Sequence, residues 1–280
     1  MKIGLVLSGG GVRGAAHIGA IKALLENGIE IETIGGTSAG SIVASLYALG
    51  YTTDEMINFF RYFAKSVMGI SPRFLFNSIR EEKSIKLRGL SSSLNIENAV
   101  QDAAKAKGIN KVKDLEMPIV IPTTDLISDR KIVFTNQKLK GDYYIQNIEI
   151  GKAVRASSTF PFMYAPFEYK EYQFVDGGIF DNLPVAELKK VNDNNKVLAI
   201  KFDLKSPRKQ NTMYNITMQS IDLMQEGLMQ DSIKLADSLL TINLRDVKVF
   251  NVDKIDFCYE QGYKQTLEKI EEIKEQLMNS

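Results

Sequence analysis

Three glycine-punctuated stretches carry residue types that could do chemistry, and the sharpest is Gly36–Thr37–Ser38–Ala39–Gly40. It fits G-x-S-x-G, in which a serine stands on a tight turn so that its hydroxyl projects as a nucleophile. Such a turn crowds the backbone two residues to either side, so only glycine fits at Gly36 and Gly40. A helix starting here would also aim its free N–H groups and positive dipole end at the serine, which favours an anion nearby. A structural turn is the competing reading of the bare pattern.

The second stretch is Gly9–Gly10–Gly11–Val12–Arg13–Gly14. Its glycines let backbone N–H groups point outward together as an anion cradle. Two anions could use it: a dinucleotide pyrophosphate, or the oxyanion of a tetrahedral acyl intermediate. Glu32 falls near where a ribose-binding acid would sit in a dinucleotide site. That reading leaves the serine turn unexplained, whereas the oxyanion reading uses both. The third stretch, Asp176–Gly177–Gly178 followed by Asn182 and Pro184, could hold a carboxylate in a defined turn. An Asx-turn is its structural alternative.

A serine nucleophile needs a general base, most often histidine. The chain has one histidine, His17, early in the helix that follows the glycine loop. A Ser-His-Asp triad is poorly supported, and a carboxylate acting directly on Ser38 becomes the alternative. Asp176 is the best-placed candidate and Asp125, at another strand end, the second.

The elements that must position these residues read as an α/β pattern. Apolar Ile3 to Ser8 predicts a strand, and Ala15 to Asn27 a helix with Ile18, Ile21, Leu24 and Leu25 on one face and Gly28 as its stop. Ile29 to Ile34 predicts the next strand and Ser38 to Leu49 the next helix. This rhythm argues for a mainly parallel sheet, and ligands in such sheets bind beyond the carboxyl ends of the strands. Further on, helices are expected over Asp54 to Met68, Ile148 to Ser157 and roughly Met213 to Ser238. Met117 to Asp125 and Lys131 to Thr135 read as paired strands around Ser128–Asp129–Arg130. Tyr172 to Val175, Lys196 to Asp203 and Leu239 to Asn243 read as strands. Tyr259 to Leu277 reads as one amphipathic helix with Tyr263, Leu267, Ile270 and Leu277 on a face.

Composition narrows the function classes. The 280 residues include 35 Lys and Arg against 34 Asp and Glu, which lacks the basic excess of a nucleic-acid binder. Lys201, Lys205, Arg208 and Lys209 are expected to form a solvated face. Cys258 is the only cysteine, so no intramolecular disulfide can form, which fits a reducing compartment. A Cys-rich metal site is excluded, and one histidine speaks against a His-based zinc site. The opening MKIGLVLSGGG carries too short an apolar run for a signal peptide, and no stretch approaches the roughly 20 apolar residues of a membrane span. The expectation is one cytoplasmic domain over 1–280, with any membrane contact peripheral.

LSGGGVRGAAHIGA, GTSAGS and ASSTFPFMYAPF…YQFVDGGIFDNLPV, in that order over roughly residues 3–190, resemble the bacterial form of the patatin-like phospholipase family. The resemblance implies a three-layer α/β/α sandwich around a mainly parallel sheet, and a Ser–Asp dyad of Ser38 and Asp176. It also implies an oxyanion loop over Gly9, Gly10, Gly11, Arg13 and Gly14, and a D-G-G element at Asp176, Gly177 and Gly178. Similar proteins hydrolyse acyl esters of phospholipids, lysophospholipids or simpler lipids without metal or cofactor. A lipid is then the expected partner.

An acyl chain needs an apolar trough. Met56, Phe60, Phe63 and Val67 follow helical spacing, as core residues do. Phe59, Tyr62 and Met68 widen the stripe, and Phe74, Leu75 and Phe76 extend it, so a substrate wall or lid competes with plain packing. Phe59, Phe63 and Phe160, the last beside Pro161 and Phe162, are the candidates for an acyl pocket. The C-terminal helix, with as many acids as bases, reads as a packing or dimerisation surface. Two other readings stay open: a dinucleotide-dependent oxidoreductase using the G-x-G-x-x-G loop, and a lipid-binding protein that no longer turns over.

Overall fold

Strands buried on both faces read as continuous apolar runs, and their alternate residues feed two separate cores. In the first strand, β1 (Lys2–Leu7), Ile3, Leu5 and Leu7 enter one core and Val6 the other. β8 (Lys196–Asp203) repeats the pattern with Leu198, Ile200 and Phe202 against Val197 and Ala199. The computed structural model describes residues 1–67, 93–161, 163–191, 196–203, 212–245 and 247–279. Within them the sheet also contains β2 (Glu30–Gly36), β3 (Ile119–Asp125), β4 (Arg130–Thr135), β5 (Tyr144–Ile145), β6 (Phe167–Tyr169), β7 (Tyr172–Asp176) and β9 (Ser238–Asn243).

The strand order is β5-β4-β3-β2-β1-β8-β9, with β6 and β7 off this path. β1 pairs parallel with both β2 and β8, β2 with β3, and β8 with β9, while β3–β4, β3–β7 and β6–β7 are antiparallel. This is the expected sandwich, mostly parallel with helices on both sides. One face carries α1 (Ala15–Glu26), α2 (Ala39–Ala48), α3 (Thr53–Val67), α4 (Leu94–Ala106), α5 (Ile150–Ser157), α8 (Ile255–Glu268) and α9 (Ile270–Asn279). The other is covered by the short α6 (Val185–Lys189) and by Met229 and Ile233 of α7 (Met213–Leu235).

One pairing decides where the chemistry can sit. β4 occupies one edge of β3 along Val120–Asp125. The other edge is shared, with β2 at Ile34↔Ile119 and Gly35↔Val120 and β7 at Thr123↔Asp176 through Asp125↔Phe174. β2 runs parallel to β3 and β7 antiparallel, so the two strands point at each other along one edge. Their carboxyl ends, Gly36 and Asp176, therefore meet.

Most expected elements are present to within a few residues, and the differences have local causes. The C-terminal helix is two helices that change direction at Lys269. Its buried face is Ile255, Cys258, Gly262, Thr266, Ile270, Ile273 and Leu277, while Tyr263 reaches outward to Glu26 Oε2 at 2.7 Å. The reason is a glycine contact: a Cβ on Gly262 would lie 2.0 Å from Ala16 O, and one on Gly19 2.0 Å from Tyr259 O. α8 thus crosses α1 backbone to backbone. Lys201 is buried rather than solvated, with Nζ bound to Glu226 at 2.7 Å. Lys205, Arg208 and Lys209 lie outside the described residues. Among the described residues no helix is long and apolar enough to cross a membrane.

The crossing predicts a sharp contrast between two glycines. Gly262→Ala has no room and should cost about 3 kcal/mol or more. Gly227→Ala on α7, where a Cβ would meet nothing within 4 Å, should stabilise by about 0.5–1 kcal/mol. Chemical denaturation of the two variants beside the wild type reads the difference.

Candidate active site

Ser38 sits between β2 and α2 with φ 53° and ψ −122°. A side-chain-bearing residue in this left-handed region is strained, and such strain gathers at functional sites. The turn is locked on both sides. A Cβ on Gly36 would come 2.3 Å from Gly40 O, and one on Gly40 2.4 Å from Leu7 O. Thr37 Oγ1 donates to Asp181 O at 2.7 Å, and Ser38 N–H to Ser157 Oγ at 3.0 Å. Ser41 Oγ donates back to Ser38 O at 2.6 Å. Ala39 opens α2 behind the turn.

Asp176 ends β7 with its side chain only 2% exposed. Oδ1 accepts the Gly178 N–H at 2.8 Å, but Oδ2 completes no hydrogen bond among the described residues. Burial pushes its pKa up to about 6, against the opposing pull of the Ser38 hydroxyl and the Gly178 N–H. Gly177 is required because a Cβ there would meet Pro122 O at 2.3 Å.

The glycine loop lies against the serine: a Cβ on Gly9 would come 3.2 Å from Ser38 Cβ and 2.5 Å from Asn182 Oδ1. Gly9 N–H is occupied, donating to Asn182 Oδ1 at 3.1 Å. The N–H groups of Gly10 and Gly11 have no hydrogen-bond partner among the described residues. Gly11, at φ +60°, packs under Val249, whose carbonyl accepts Val12 N–H at 2.9 Å. Gly14 lets Ala39 and Phe60 approach, since a Cβ there would come 2.9 Å from Ala39 Cβ. Arg13 is buried, with Nε donating to Val247 O at 2.8 Å, so it braces the loop. Burial lowers its pKa, and Asp222 acts against that.

His17 does not reach Ser38. It is fully buried, stacks on Phe202 at 4.5 Å, and holds Ser8 O at 2.9 Å through Nε2. A carbonyl can only accept, so Nε2 carries the proton, and burial drives the pKa down to about 4. The imidazole is a neutral strut under the glycine loop. Asp125 is also committed elsewhere. Its carboxylate accepts from Ser128 Oγ at 2.5 Å, Ser128 N at 3.1 Å and Gln173 N at 2.9 Å. Burial would raise its pKa, but these bonds win and lower it.

Ser38, Asp176, Gly9, Gly10, Gly11 and Arg13 line one cavity of about 270 Å³. Ile42, Phe63, Ile96, Phe160 and Tyr164 supply apolar wall, and α7 supplies polar wall. Of the acyl-pocket candidates, Phe63 and Phe160 therefore border the cavity. Phe59 is not in the wall; it stacks on Phe63 at 5.9 Å and packs on the core. Met56 and Phe60 are buried and Tyr62 is exposed. The Val67 side chain, Met68, Phe74, Leu75, Phe76 and Phe162 lie outside the described residues. Asn182 and Lys201 join the site without having been singled out as site residues by sequence. Position could have found Lys201, since it lies near the carboxyl end of a parallel strand beside β1.

Known proteins share much of this sequence and fold. A family model described as patatin-like phospholipase matches residues 5–189. An uncharacterised NTE family protein of Mycobacterium bovis is 33% identical over 191 residues, which cover 68% of this chain and 46% of that protein. Lysophospholipase NTE1 of Meyerozyma guilliermondii is 31% identical over 191 residues, 67% of this chain and 12% of that one. The chain therefore spans less than half the length of these relatives. Among solved structures, VipD from Legionella pneumophila superposes with a TM-score of 0.55 at 17% identity, over 97% of this chain and 67% of that one. Human GIVD cytosolic phospholipase A2 in complex with methyl gamma-linolenyl fluorophosphonate does so at 0.51 and 10% identity, over 99% and 58%. At such identities the likeness is one of fold, but with three motifs in order and a family model spanning them, the chain belongs to the patatin-like phospholipase family.

Proposed function

We propose that this protein is a serine acyl hydrolase that cleaves acyl esters of phospholipids or related lipids, with Ser38 as nucleophile and Asp176 as base. The observation that carries the reading is the Asp176 carboxylate: buried, with Oδ2 unsatisfied, in the cavity that also contains the Ser38 hydroxyl. A general base works best with a pKa near the operating pH, and burial has moved this one toward it.

In the first step Asp176 Oδ2 takes the proton of Ser38 as Oγ attacks the ester carbonyl. The carbonyl electron pair moves onto oxygen, which the N–H groups of Gly10 and Gly11 stabilise by donating hydrogen bonds. Collapse expels the alcohol, which leaves with the proton from Asp176, and an acyl-enzyme remains. Water then attacks that ester, giving its proton to Asp176, and the second collapse returns the proton to Ser38 and frees the fatty acid. Every group this needs is supplied by the chain. The dinucleotide alternative loses support because Ser38, Thr37 and Asn182 crowd the loop a pyrophosphate would occupy.

Ser38→Ala should abolish both fatty-acid release and labelling by a fluorophosphonate probe; labelling that survives would sink the assignment. Initial rates should rise with pH through an apparent pKa near 6, because only ionised Asp176 accepts the proton.

The same group gives a stability test. Its folded pKa lies above the ordinary carboxyl value, so the folded state holds the proton more tightly. Stability from this group is complete at low pH and is lost as pH rises toward and through 6. At pH 8 Asp176→Asn should therefore raise the melting temperature, by relief of about 3 kcal/mol, while eliminating turnover. A lower melting temperature at pH 8 would count against the buried charge.

Asn182 is a positioning residue, because it fixes Gly9 and through it the neighbouring amides. Asn182→Ala should lower kcat by about tenfold to a hundredfold with KM little changed. Steady-state kinetics on a soluble ester would reveal a KM effect instead if the residue only shaped the pocket.

A further inference from the structure

α7 is built inside out. In a surface helix the apolar stripe faces the protein and the polar face meets water. Here the face turned to the cavity presents Gln219, Asp222, Gln225 and Glu226 beside Met218 and Met229. Glu226 binds the buried Lys201 Nζ at 2.7 and 2.8 Å, and Gln225 Nε2 donates to Gly178 O at 3.2 Å. Asp222 sits in the field of Arg13, which offsets part of the rise that burial imposes on its pKa. The opposite face carries Met213, Ile216, Leu223, Met224 and Leu228, each between 45% and 78% exposed. At 100° per residue these five lie within one arc together with Ser220 and Gly227. The arc holds no charged residue between Met213 and Leu228. Met229 is the one buried apolar side chain among those described on the helix.

We infer that this outer face of α7 is the surface by which the protein seats itself on a lipid aggregate, with zwitterionic or neutral lipid as the partner. The inference rests on the acyl-hydrolase reading for the identity of that partner. Continuity with the site comes first: Leu223 both lines the cavity and is 62% exposed, so the apolar face runs into the wall of the cavity that contains Ser38. Charge comes second. The acids of the middle of the helix point inward, so the outer face offers neither attraction nor repulsion to charged head groups, and binding depends on apolar burial. Size comes third. Five such side chains at these exposures amount to about 500 Å² of apolar surface, at the upper end of the roughly 300–600 Å² of a monomer's largest apolar patch. That area is ample for insertion among acyl chains.

The test is flotation of the full chain with phosphatidylcholine vesicles, in a Ser38→Ala background so that turnover is not involved. Ile216→Asn with Met224→Gln changes only the outer face and should leave thermal melting unchanged. The double substitution should lower vesicle partitioning at least about tenfold. In the chain with Ser38 intact it should cut fatty-acid release from vesicles in parallel, while hydrolysis of a soluble short-chain ester stays within about twofold. Undiminished flotation would overturn the assignment. So would light scattering that finds a wild-type dimer dissociated by the same substitutions, because a second copy would then be the occupant. If neither ester is hydrolysed yet the substitutions still abolish flotation, the lipid surface stands and the hydrolase reading falls.

Discussion

The carboxylate of Asp176 is almost fully removed from water, and among the described residues one of its oxygens completes no hydrogen bond. Leaving a buried charged group unsatisfied costs free energy that the rest of the fold must supply. Much of the site's construction can be traced to that constraint. β7 is held on the edge of β3, with Asp176 N–H donating to Thr159 O at 2.9 Å and Thr124 Oγ1 donating to Asp176 O at 3.1 Å. Lys131 binds Asp181 and Glu187, each at 2.7 Å, and so anchors the turn that follows. Asp181 O in turn holds Thr37 beside Ser38. The carboxylate is kept from relaxing toward solvent because its backbone is bonded on both sides, and burial keeps its pKa raised.

The glycine loop is held by chain lying beyond the region the family model matches. Val247 and Val249 accept bonds from Arg13 and Val12, Phe202 stacks on His17, and α8 crosses α1 at paired glycines. The loop itself is almost all glycine and contributes little packing of its own. Its conformation is set from below by His17 on Ser8 and from above by the Val247–Val249 segment. A histidine in this position serves through its neutral form. A charge on it would be stranded in the core beside Phe202, and its low pKa prevents that at neutral pH.

The parts of the site legible in the sequence were those whose requirement is steric and local. Gly36 must be glycine because of Gly40 four residues on, whereas Gly40 is held by Leu7 O at the end of β1, and the pattern around Ser38 advertises both. Asp176 was legible by the lack of a suitable histidine and by the assembled motif set rather than by any local contact, because the shared edge of β3 that brings β7 to β2 is a pairing between distant segments. Gly262 gave no local sign, since its partner Ala16 lies in another helix. α4 was not anticipated: its buried residues, Ile96, Val100, Gln101, Ala103 and Ala104, are mostly small or polar, which leaves little periodic signal. Phe59 and Phe63 differ by one helical turn and stack together, yet only Phe63 reaches the cavity. Spacing can name a face but not which end of it borders a void.

α7 marks where reading apolar residues as core fails outright. Its methionines and leucines are frequent enough to suggest burial, but its polar residues have the stronger claim on the interior. Lys201 and Arg13 sit in the cavity wall at low exposure, and each needs an acid nearby. Glu226 and Asp222 supply those acids only if the helix turns that face inward. Once the face is so fixed, Met213, Ile216, Leu223, Met224 and Leu228 turn outward, and among the described residues only Met229 and Ile233 at the far end of the helix pack on the core. The orientation of α7 therefore follows from two buried cations at the ends of the sheet rather than from hydrophobic burial. The apolar face beside the cavity is the consequence.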